Sequence, residues 1–281
     1  MIRTVLLPTD LSPDSDRVMR FCTGLGALGV RRVVCAHVLD VTGLEGPVIS
    51  AKIDSAREQM RTKVEPLQEA GFDVEVRIPT GDPGRELIAL ESEDHVDAIV
   101  LGTRGKSATD RLFVASVSDD LLRDASVPML TVRYDLLSNC EDPAALGAAF
   151  ARMLLLPTDF STSASRALIV ALNLPPKAIG NVRLLHVLKP EDDEARAAKA
   201  EVGAEFQLRN MVAMAAEKGM HATAVIGHGE PERAIITEIH ESGVTGVVIG
   251  FRGRTVLGEA LMGSVSMTIM RQASCPVMIV P

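Results

Sequence analysis

The chain has 281 residues, 47% hydrophobic and 23% charged, which points to about two globular domains with sizeable cores. A net charge of −8, no Trp and a single Tyr exclude broad nucleic-acid binding and docking on anionic membranes, which need a basic field and, for stacked bases, aromatic surface. An acidic chain can still hold one anion in a local pocket. The cysteines, Cys22, Cys35, Cys140 and Cys275, form no C-x-x-C pair, and three of them lie in apolar runs, so a zinc site or disulfide framework is not expected and a reducing compartment fits. The apolar part of the first residues is too short for a secretory signal and no run approaches a membrane span, so a cytoplasmic protein is expected.

In chain order, Arg3 to Leu7 reads as a first strand. Ser12 or Asp14 can cap a helix running to about Leu28. Arg31 to Val38 is a second strand. Ile49, Ile53, Ala56, Met60, Val64 and Leu67 recur at steps of three and four, one face of a long helix that Pro66 can kink and Gly71 ends. A third strand spans Val74 to Ile78, and Pro83 starts a helix through about Asp94. Ala98 to Leu101 is a fourth strand, Ser116 to Arg123 a helix, and Met129 to Val132 a fifth strand.

This series then returns. Leu7-Pro8-Thr9-Asp10 recurs as Leu156-Pro157-Thr158-Asp159, and His37-Val38 as His186-Val187. Gly81-Asp82-Pro83 recurs as Gly229-Glu230-Pro231, and Gly102-Thr103-Arg104-Gly105 as Gly250-Phe251-Arg252-Gly253. The offset is 149 early and 148 later, so the chain is a duplicated domain, expected over 1–134 and 152–281 with a linker over 135–151. The long helix of the second copy is expected from about Asp192 to Lys218. Strands alternating with helices imply parallel sheets covered on both faces, whose ligands bind beyond the strands' carboxyl ends.

The chemistry concentrates at one such end. Gly250 and Gly253, then Gly263-Ser264-Val265-Ser266, give a G-x2-G-x9-G-S spacing between a buried strand and a helix start. Glycines let backbone N–H groups approach an anion, and a helix's first turn adds unpaired donors and a positive dipole end. Ser264 and Ser266 can add hydroxyl donors and Arg254 a fixed charge. By itself this says phosphate and no more. Gly105-Lys106-Ser107 is not a Walker loop, because Val100 stands where that motif has its first glycine. His37 and His186 have no second ligand at metal spacing, so they read as structural histidines closing a strand. Asp10 and Asp159 read as ligand-bonding or helix-capping carboxylates, since no nucleophile accompanies them.

Together, Pro-Thr-Asp after the first strand, His-Val after the second, Gly-(Asp/Glu)-Pro before the third helix, and the glycine loop resemble the universal stress protein family, as a tandem member covering essentially the whole chain. The resemblance implies two tandem α/β domains, each a five-stranded parallel sheet in the order 3-2-1-4-5. This is a Rossmann-like, adenine nucleotide alpha hydrolase-like fold, paired through the fifth strands as an intramolecular pseudo-dimer. It implies ATP as ligand, with Mg2+, in one of two classes of the family, the other being non-binding. Carried onto the second half, Asp159 lies near adenine and ribose, the Val187 backbone contacts adenine, and Gly250 and Gly253 shape the loop. Arg254 lies near the phosphates, Gly263, Ser264 and Ser266 donate to them, and Pro157, Thr158 and Val265 complete the set.

The first-half counterparts are Asp10, Val38, Gly102, Gly105, Lys106, Ser116 and Ser118. There Ala115 replaces the third glycine, and Asp119 and Asp120 stand in the helix's first turn where the second half has Met267 and Thr268, so the first site is expected to be weaker or empty. The expected role is a nucleotide-linked stress sensor or regulator, with a possible homodimer and no nucleic-acid or membrane partner. No catalytic set is identified, so at most weak ATP hydrolysis is expected. The rivals are a slow ATPase and an interaction module with vestigial loops.

Overall fold

The computed structural model describes residues 1–103, 120–190, 192–253 and 262–281. The chain divides into two compact units, Ile2–Ala148 and Ala149–Pro281. In the first, the elements are β1 (Thr4–Pro8), α1 (Pro13–Thr23), β2 (Arg32–Ala36), α2 (Gly46–Lys63), α3 (Glu65–Glu69), β3 (Asp73–Arg77), α4 (Pro83–Glu93), β4 (Ala98–Thr103), β5 (Met129–Arg133), α5 (Tyr134–Asn139) and α6 (Pro143–Ala149). Residues 120–124 are also helical. The second unit carries β6 (Met153–Pro157), α7 (Thr162–Leu172), β7 (Asn181–Leu188), α8 (Glu194–Glu217), β8 (Ala222–His228), α9 (Pro231–Glu241), β9 (Gly246–Gly250), α10 (Ser264–Gln272) and β10 (Val277–Val280).

Within the first unit the strands lie in the order β3-β2-β1-β4-β5, and within the second β8-β7-β6-β9-β10, every recorded pairing inside a unit being parallel. This is the doubly wound arrangement, and it explains why the central strands are apolar without alternation. Both faces are covered, so Val5, Leu6 and Leu7, and likewise Val247, Val248 and Ile249, are all buried. Each such side chain contributes about 1.5–3 kcal/mol on burial.

Proline and glycine set the helix limits. Pro83 and Pro231 open α4 and α9, where a missing N–H costs nothing. Gly71, after the short α3, and Gly219, after the long α8, have φ of 85° and 73°, a region L residues avoid. Pro66 does more than kink its helix: the run ends at Lys63, and a separate turn, α3, begins at Glu65. β2 stops at Ala36, two residues short of the expected Val38, whereas β7 continues to Leu188.

The stretch expected to be a linker is largely helical and docked on its own unit. The α5 helix packs on α1 with Leu137 buried. A Cβ on Gly24 would fall within 2.5 Å of Ala148 N, so α6 meets the end of α1 backbone to backbone. The thiols follow the core. Burial pushes Cys35 and Cys275 up to about 12 and raises Cys22 as well, whereas Cys140 is partly exposed. Alkylation of the folded protein at pH 8, read by peptide mass spectrometry, should therefore label Cys140 first, with the other three reacting only after denaturation.

Candidate phosphate-binding site

The turn after each first strand is built identically in both halves. In the second, Thr158 Oγ1 accepts from the Phe160 amide at 3.0 Å, Asp159 Oδ1 from the Ser161 amide at 3.0 Å, and Ser161 Oγ from the Ala164 amide at 3.2 Å, capping α7. In the first, Thr9, Asp10 and Ser12 make the same three bonds to Leu11, Ser12 and Ser15. These bonds hold Phe160 and Leu11 at φ of 60° and 63°, a conformation costing about 1–2 kcal/mol for a side-chain-bearing residue. The outcome is a carboxylate fixed at the strand's carboxyl end. Partial burial pushes the Asp10 carboxyl up, but hydrogen bonds from Ser12 and Ser15 more than offset it, leaving it below its ordinary value.

Both histidines brace this turn. His186 Nδ1 lies 2.7 Å from the Thr158 carbonyl oxygen and His37 Nδ1 2.9 Å from that of Thr9. A carbonyl can only accept, so Nδ1 carries the proton in each. The Phe160 ring stacks on His186 at 4.4 Å.

The second-half glycine loop closes against this turn. Gly263 N–H donates to the Phe251 carbonyl at 3.0 Å, joining the loop's two ends. A Cβ on Gly253 would stand 2.9 Å from Asp159 Oδ2, and one on Gly263 would stand 3.6 Å from Gly253 N. Asp159, Gly253 and Gly263 thus enclose one small space. Gly263 is also the N-cap of α10 and brings no side chain to it, so the first-turn amides of Ser264, Val265 and Ser266 have no side-chain cap. Among the described residues, the free donors at the positive end of α10's dipole are the feature of this turn suited to an anion. Pro157 and Thr158 lead into the turn, and Val187 lies two residues beyond Leu185, the β7 partner of Pro157.

Three contacts add to this picture. Ser266 does not offer its hydroxyl outward: it is buried and donates to the Gly250 carbonyl at 2.7 Å, tying α10 to the end of β9. Gly250 is a packing glycine, since a Cβ there would meet the Ser163 carbonyl carbon at 2.6 Å. A carboxylate from another helix also reaches the start of α10, for Ser264 Oγ donates to Glu232 Oε1 of α9 at 3.2 Å. Arg254 lies outside the described residues, as do Gly105, Lys106, Ser116 and Ser118 of the first half.

Of the remaining first-half candidates, Asp10 occupies its turn, Val38 follows β2, and Gly102, one residue before the end of β4, lies against the Tyr134 ring, whose Cζ would be 2.6 Å from an added Cβ. Ser163, Arg252 and Glu232 were not singled out from sequence. Ser163 Oγ accepts from the Arg252 amide at 3.2 Å, and Arg252 lies over the Phe251 ring at 5.5 Å with its buried Nε unbonded among the described residues. The arginine beside the loop glycine is visible in the repeated Gly-x-Arg-Gly; nothing local in the sequence marks the other two.

A groove of about 460 Å³ lies beside α9, lined by Leu185, Val225, Gly227, Arg233, Ala234 and Glu238 among others. In the first half Arg77 stands where Val225 does, bound to Asp94 at 2.6 Å and Glu75 at 2.9 Å.

The fold is a duplicated doubly wound α/β arrangement, with a glycine-flanked helix start at the strand ends of its second half. The sequence pattern of the Universal stress protein family matches residues 1–133 and again 151–281. A universal stress protein of Mycolicibacterium smegmatis is 25% identical over 301 residues, covering 98% of this chain and 96% of its own. Universal stress protein YxiE of Bacillus subtilis is 32% identical over 144 residues, covering 45% of this chain and 97% of its own. The crystal structure of a universal stress protein from Archaeoglobus fulgidus superposes with a TM-score of 0.77 at 27% identity, covering 99% of this chain and 97% of that one. The chain belongs to the universal stress protein family, as a tandem member.

Proposed function

We propose that the second half binds an adenine nucleotide, ATP with a divalent cation, and that the protein acts as a nucleotide-linked sensor or regulator in stress. The observation that carries this is the Asp159–Gly253–Gly263 cradle facing the uncapped first turn of α10. That geometry supports a phosphate ligand, and the family's pattern of Asp159 and Val187 beside the loop supports adenine. Asp159 and the strand end near Val187 would orient base and ribose, and the α10 amides with Gly253 would hold phosphate oxygens. A cation such as Mg2+ would arrive on those oxygens, its usual mode of binding. The first half is the weaker site in this reading, with Tyr134 packed on Gly102.

The test is thermal unfolding with millimolar ATP and Mg2+, beside mass spectrometry of small molecules released from the purified protein. A ligand at about a hundred times its Kd adds about 2.7 kcal/mol, a rise of several degrees in Tm. No rise, no released nucleotide and no binding in a direct titration would defeat the proposal in favour of an interaction module. That reading has one observation of its own: Phe206 and Val202, one helical turn apart on α8, are 62% and 66% exposed.

A further inference from the structure

The cradle carries a charge that phosphate binding alone does not call for. Glu232 lies in the first turn of α9, which packs against α10, and its Oε1 holds the hydroxyl of Ser264, the first residue of α10. Among the described residues no Lys or Arg pairs with Glu232. A carboxylate with no Lys or Arg partner among the described residues therefore shares the helix end that would receive the ligand's phosphates.

The first half shows the same joint with its charge supplied from the other side. Gly84 matches Glu232, and Asp120 matches Thr268, each 148 residues earlier. A Cβ on Gly84 would lie 2.9 Å from Asp120 Oδ2, so the Asp120 carboxylate occupies the space above the first turn of α4. There it is neutralised by Arg123 at 2.7 Å. Each copy thus places one acidic group where these helices meet, and among the described residues the second copy's has no Lys or Arg partner.

We infer that Glu232 makes the second-half site selective for the charge state of its ligand, admitting a nucleotide whose phosphates already carry a divalent cation and disfavouring the free polyanion. This rests on the nucleotide reading above. A metal-free triphosphate carries about two more negative charges than its divalent complex and meets Glu232 as a like charge at close range. The metal complex supplies the missing partner, since a cation on the phosphates attracts the carboxylate directly or through its water shell. Glu232 is then a specificity-determining residue, and occupancy follows the metal complex rather than total nucleotide.

The experiment is an equilibrium titration of the full chain with ATP, in excess EDTA and in excess Mg2+, for wild type and Glu232→Gln. Wild type should prefer the Mg2+ form by about tenfold. Gln should strengthen metal-free ATP binding about tenfold and change the Mg2+ form less than about threefold, which removes the preference. Glu232→Lys, with its Tm checked, should reverse it. An unchanged preference in Gln, or equal weakening of both forms at unchanged Tm, overturns the inference and leaves nucleotide binding standing. If wild type binds neither form, the nucleotide reading fails and takes this inference with it.

Discussion

Gly250→Val should lower the unfolding free energy by about 3 kcal/mol. Gly250 ends β9 in the core of its unit, and even an alanine Cβ would meet the Ser163 carbonyl carbon at 2.6 Å and its oxygen at 2.8 Å. These are backbone atoms at the capped start of α7, so no rotamer change relieves the overlap. Either α7 moves off the sheet or β9 shifts, and β9 is paired with β6 and β10. Urea denaturation measures the effect directly: the midpoint should fall while the slope stays constant. A loss under about 0.5 kcal/mol would mean the close approach is not rigid and that the glycine is there for a ligand.

Gly253→Val should behave in the opposite way. Gly253 is exposed, and among the described residues the atom within 3 Å of a Cβ there is Asp159 Oδ2, at the end of a side chain. Folding should change by less than about 1 kcal/mol, because Asp159 can turn aside. Binding should not survive that turn. The valine fills the cradle and displaces the carboxylate that the Ser161 amide holds in place, so ATP affinity should fall at least about a hundredfold, near 2.7 kcal/mol. Titration of Gly253→Val, Asp159→Ala and the double variant makes the argument specific. The two losses should fall well short of additive, because both act on one carboxylate. Full additivity would place Gly253 and Asp159 in separate parts of the site.

Much of this architecture was legible because the chain states it twice. One copy of Pro-Thr-Asp or His-Val is weak, but two copies at a nearly constant offset fix the element order of both halves and carry the family. The site was legible where it is local: Asp159 caps its own turn, and Gly263 precedes its own helix. It was not legible where a residue meets something distant. Ser264 and Glu232 are 32 residues apart, and Ser163 and Arg252 are 89 apart. No short-range spacing rule couples such pairs. Ser266 shows the same limit in another form. A serine beside a glycine loop reads as a ligand donor, but at the third helical position its hydroxyl turns back to the strand carbonyl beneath it.

The left-handed residues Leu11 and Phe160 have a bearing on engineering. Glycine adopts that conformation without the steric cost, so the first-half turn, where Leu11 has no ring stacked on a histidine, is a natural place to raise heat resistance. The same change would let the turn flex and release the neighbouring carboxylate from its fixed direction. A family member selected only for robustness could relax this turn, whereas one selected to read a small molecule has reason to keep a side chain there. Two copies of the turn within one polypeptide allow those pressures to be separated, one half being free to become sturdier while the other stays taut.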